Sequence, residues 1–125
     1  MRKIIFLLII FTLVISCQSN DEPMNSEPII VTLTAIVSGT LNDNPTISYR
    51  DETGAVKSET LTVGAWNKTL TVGKEFNLLL KISGSINGII QLKASATGAG
   101  VSYNDVRNLS TNVDTVLDLE ISSTL

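Results

Sequence analysis

The sequence predicts an all-β fold over residues 29–125, an antiparallel, immunoglobulin-like β-sandwich of about seven to eight strands. Three observations predict it. Apolar residues recur with a period of two rather than 3.6, so side chains alternate between an inner and an outer face. Turn-forming residues interrupt these runs at short, regular spacing. No stretch carries a convincing helical period. Many short alternating strands joined by tight turns are the pattern of a sandwich or barrel.

The elements follow in order. In Ile29 to Ser38, residues Ile29, Val31, Leu33, Ala35 and Val37 share one face, with Thr32, Thr34 and Ser38 on the other. Thr46 to Arg50 is a short strand closed by the turn Asp51-Glu52-Thr53-Gly54, and Ala55 to Val63 runs back. Lys68 to Val72 ends at Gly73. Phe76, Leu78, Leu80 and Ile82 then form one inward set, and Ile90, Leu92, Ala94 and Ala96 another. Between those two lies Asn87-Gly88, which predicts a tight hairpin turn because both residues accept positive φ. Val101 to Val106 follows the glycine pair Gly98 and Gly100. The last strand points Val113, Thr115, Leu117, Leu119 and Ile121 inward.

The ends and the composition bound the function. After Met1-Arg2-Lys3, residues Ile4 to Ile15 are apolar apart from Thr12. Twelve helical residues span only ~18 Å against a ~30 Å hydrocarbon core, so residues 1–16 read as a cleaved export signal. Without Arg2 and Lys3, seven of the nine basic residues remain against twelve acidic ones, a net charge of −5. That balance disfavours nucleic acid and anionic lipid headgroups as partners. Gln18 to Pro28 is polar and acidic, holds two prolines and reads as a flexible tether, ~35 Å long if fully extended. The domain that follows has no second cysteine for a disulfide, so its stability must come from one apolar core.

Val14-Ile15-Ser16-Cys17 resembles the lipobox of bacterial lipoproteins. The resemblance implies a diacylglycerol thioether on Cys17, cleavage before it, and further acylation (palmitate-type chains) at the new amino group. Cys17 is then the lipidation site and the membrane a partner through its lipid, with residues 17–28 as the anchored tether. Gln18 after the cysteine resembles the pattern that releases lipoproteins to the outer membrane, and Asp21-Glu22 resembles the surface-export signal of lipoproteins in the Bacteroidetes. The implied location is the cell envelope, with the domain on either face of the outer membrane.

Catalytic chemistry finds little support. There is no His, no free Cys after lipidation and no Gly-rich phosphate loop. A carboxylate pair needs an enclosing pocket that separates its pKa values, whereas Asp43, Asp51, Glu52, Glu75, Asp114, Asp118 and Glu120 fall on turns or polar faces. No catalytic residue, metal site or cofactor is therefore assigned. Asn42 to Pro45 could contribute oxygen ligands to calcium, but a turn built on Asx side chains accounts for the same residues. Trp66 is the one aromatic worth naming as a ligand contact, against the plainer role of a core plug. Asp114-Thr115-Val116 resembles a bacterial O-glycosylation motif, although Thr115 falls on the inward face.

"TISYRDETG", "VGAWNKTLTVG" and "LLLKISGSINGIIQLKASATG" together resemble the MmpS (mycobacterial membrane protein small) family of transport accessories. The matching residues are Ile47, Tyr49, Asp51, Gly54 and Trp66, within Val31 to about Tyr103. Ala65 stands where that family has proline, and its cysteine pair is absent. The resemblance implies a non-enzymatic accessory module that binds an envelope protein partner, such as a transport or secretion complex. The alternative is a surface-exposed module that binds glycan or another ligand through Trp66.

Overall fold

Alternation over so much of the chain produces strands far longer than the turn signals suggest. The computed structural model describes residues 27–125, so the expected leader, Cys17 and most of the expected tether lie outside the described residues. The described chain is all-β and antiparallel, as the period of two predicts. It has five strands: β1 (Ile29–Arg50), β2 (Val56–Thr60), β3 (Gly64–Val72), β4 (Asn77–Gly98) and β5 (Val101–Thr124). All five belong to one hydrogen-bonded sheet ordered β2-β1-β4-β5, with β3 also paired to β1. The expectation of seven to eight strands is corrected to five, and their arrangement in one antiparallel sheet is consistent with the expected β-sandwich.

The correction has a physical cause. Several expected strands are halves of longer ones, joined where the backbone bends rather than turns. Asn87-Gly88 does not make a hairpin; it lies within β4, and Gly88 stands directly opposite Gly39 of β1. Both glycines have positive φ, +109° at Gly39 and +154° at Gly88. A Cβ on Gly39 would fall on the Asn87 carbonyl oxygen, and one on Gly88 on that of Ser38. Only glycine lets the two strands cross here at this separation.

Two bulges accompany the bend. Asp43, Asn44 and Pro45 stand opposite the single residue Gly84, between the pairs Asn42–Ser85 and Thr46–Ser83. Asp43 and Asn44 adopt left-handed φ of 57° and 43°, which Asp and Asn tolerate better than most side chains. On β5, Asn112, Val113 and Asp114 stand opposite Asn87 in the same way. Each bulge adds two residues, an even number, so the inward set stays in phase on both sides. Val113 is the exception to the expected inward set: it sits in the bulge and is 62% exposed.

The register places Ala35 opposite Trp66, so Trp66 belongs to the half of the sheet built on the start of β1. Tyr49 lies fourteen residues further along β1, ~45 Å away if the strand ran straight. Yet the two rings pack with centroids 5.5 Å apart. The sheet therefore folds back on itself, and its two halves face each other. One apolar cluster fills the space between, with Ile29, Leu33, Ile47, Leu80, Ile82, Ile86, Ile90, Leu92 and Ile121 among its fully buried side chains. Long strands that change layer at bulges let a single sheet supply both walls of a core.

Candidate functional site

β2 and β3 pair with the same edge of β1, β2 with its second half and β3 with its first. The inner faces of these two short strands therefore meet where the folded sheet is open at the side. Glu59 stands opposite Ile47 and points inward from β2, while Trp66 and Lys68 point inward from β3 opposite Ala35 and Leu33. Tyr49, from the end of β1, completes the group.

Glu59 holds the group together. Trp66 Nε1 donates to Glu59 Oε2 at 2.8 Å, and Tyr49 Oη donates to Oε1 at 3.0 Å. Lys68 Nζ lies 2.9 Å from the same Oε1 and 5.1 Å from the centroid of the Tyr49 ring. Three donors favour the ionised carboxylate, so the pKa of Glu59 is lowered from 4.5 to about 2, with the Trp66 hydrogen bond the largest cause, followed by Lys68 and Tyr49. The pKa of Lys68 is raised in return, first by its hydrogen bond to Glu59. A carboxylate held this way is a poor proton donor near neutral pH, and three of its roughly four acceptor sites are occupied.

Beside this clasp lies a cleft of about 460 Å³, lined in part by Tyr49, Asp51, Lys57, Glu59, Lys68 and Leu70. Four of its five charged side chains are paired, Lys57 Nζ lying 3.7 Å from Asp51 Oδ2 and Lys68 bound to Glu59, while Glu52 is exposed and has no ion pair among the described residues. Asp51 also organises the turn after β1, accepting from the Thr53 hydroxyl at 2.6 Å, the Thr53 amide at 2.9 Å and the Ala55 amide at 3.0 Å. The Thr53 hydroxyl is the main reason its pKa is lowered. The expected turn at Asp51–Gly54 is thus a carboxylate-centred one.

The residues singled out in the sequence occupy different places. Cys17 lies outside the described residues. Trp66 is half-buried, its ring against Tyr49 and its N–H committed to Glu59, so it joins two strands at the edge of the core. Asn42 to Pro45 forms the β1 bulge; Asp43 accepts from the hydroxyl of buried Ser85 at 3.0 Å, and Asn42 donates to Asp114 at 2.8 Å. Among the described residues, no three Asp or Glu side chains come together as a metal site needs. Thr115 is half-buried, and its hydroxyl is hydrogen-bonded with that of Thr111 at 2.8 Å.

Sequence reading missed Glu59. In Val56 to Leu61 the two faces hold Val56, Ser58 and Thr60 against Lys57, Glu59 and Leu61, so the alternation has little contrast. The signal present was an acid two positions before an inward leucine, next to the strand carrying the only tryptophan. Known protein families, curated proteins and solved structures gave no match to this chain.

Proposed function

We propose that the protein is a non-enzymatic envelope lipoprotein, anchored through lipid on Cys17, whose β domain binds a protein partner in a transport or secretion complex. The observation that carries this reading is Val14-Ile15-Ser16-Cys17, the sole thiol of the chain, at the end of a short apolar run and ahead of an acidic tether. Lipid chains contribute ~0.8 kcal/mol per buried CH₂, and two or more make the attachment durable. Within the domain, the chemistry at Glu59 is structural rather than that of an acid–base catalyst. Glu59, the carboxylate most strongly shifted, is held by three structural donors, and Lys57 and Asp51 beside it pair with one another.

The accessory role rests on the likeness of Ile47, Tyr49, Asp51, Gly54 and Trp66 to the MmpS pattern. Glycan binding through Trp66 is the weaker alternative, because its N–H and one face of its ring are already engaged. The test has two arms. Cells fed labelled fatty acid are expected to label the native chain and not Cys17→Ala; equal labelling overturns the anchor. Crosslinking in cells is expected to capture the same envelope protein repeatedly, and capture of none overturns the accessory role.

A further inference from the structure

Among the described residues β5 is the longest strand and pairs only with β4, so its other edge presents backbone groups without a strand partner there. Exposed edges of this kind are usually blunted by lysine, proline or unpaired inward charges; Val101 to Thr111 contains no lysine or proline, and its inward charges neutralise each other. Its charges are one acid and one base, Asp105 and Arg107, both on the inner face and 3.0 Å apart. Val106 lies between them on the outer face, 38% exposed.

We propose that two copies of this chain associate by antiparallel pairing of Val101–Thr111 of β5 about a twofold axis at Val106. This inference is independent of the lipid anchor and of the accessory role. In that register Asp105 of each copy faces Arg107 of the other, Tyr103 faces Leu109, and Asn104 faces Asn108. A twofold contact must be self-complementary, and this stretch is: its one acid and one base exchange partners, and an aromatic meets an aliphatic side chain. The other half of β5 is not, because self-pairing would oppose Asp118 and Glu120. The edge of β3, paired about its own middle, would set Lys68 against Lys68. A second copy therefore fits the first half of β5 better than its second half or the edge of β3, and this stretch is more than twice as long as the five-residue β2.

The test uses the full chain with Cys17→Ser, so that an introduced thiol is the only one. Under mild oxidation, Val106→Cys is expected to crosslink with itself, since directly paired residues place their Cα atoms ~4.5–5.5 Å apart, within disulfide range. Asn104→Cys and Asn108→Cys are expected to crosslink with each other and not with themselves. Adding Arg107→Asp to Val106→Cys turns two attractive pairs into repulsive ones and is expected to cut crosslinking roughly tenfold. Adding Asp105→Arg as well is expected to restore it. Should Arg107→Asp disturb the fold, seen by circular dichroism, the three cysteine variants decide the matter alone. Monomeric Val106→Cys, or self-crosslinking of Asn104→Cys as readily as of Val106→Cys, overturns the proposal.

Discussion

Glu59 shows how much one side chain can do at an edge where two parts of a sheet meet. Its carboxylate connects Tyr49 of β1 with Trp66 and Lys68 of β3, across a distance that the backbone ladder does not bridge. Its pKa is about 2 in the folded chain against an ordinary 4.5. The stabilisation is therefore fully present above pH ~4.5 and is lost as the pH falls towards 2. The side chain is 39% exposed, so solvent screening reduces the contribution to ~1 kcal/mol. Glu59→Gln is expected to cost about that much at pH 7 and to flatten the fall in stability between pH 4.5 and 2, measured by urea unfolding across that range. Because Trp66 is the only tryptophan, its emission should also shift to the red in Glu59→Ala, and quenching by iodide should rise.

At the scale of the strand, the bend and the two bulges decide the shape. The inward alternation was legible because it is written in the local residue order, and Ile29 to Val37 and Leu78 to Ile82 point as it says. The bend was not legible. Asn87-Gly88 carries the same positive-φ signature whether the chain turns back or continues, and only the partner opposite, Gly39, distinguishes the two. Gly39→Ala is expected to destabilise by more than ~3 kcal/mol, since it combines an unfavourable φ with a clash against backbone that cannot move aside. Thermal melting checks this. Deleting Asn44 alone leaves one extra residue in the bulge instead of two, an odd number, and turns the rest of β1 inside out. Deleting Asp43 and Asn44 together keeps the phase, and that variant is expected to melt higher than the single deletion.

Over the whole domain, β1, β4 and β5 each run through both facing halves, so neither half can separate from the other without breaking strands. Unfolding is expected to be a single transition, with Trp66 fluorescence and far-ultraviolet circular dichroism giving the same midpoint. Two separate midpoints would mean that the halves melt independently.

The all-β character, the identity of most core residues and the acidic balance are properties of residue order and composition, and the chain carries them in its sequence. Strand continuity, the folding of one sheet onto itself and the meeting of Glu59 with Trp66 come from pairings between residues far apart in the chain. The pleat sets which way a side chain faces from its neighbours alone, whereas a bend differs from a turn only by which distant strand lies alongside. For Trp66 that difference is decisive: the sequence marks it as an unusual residue, and the strand facing it makes it part of a clasp.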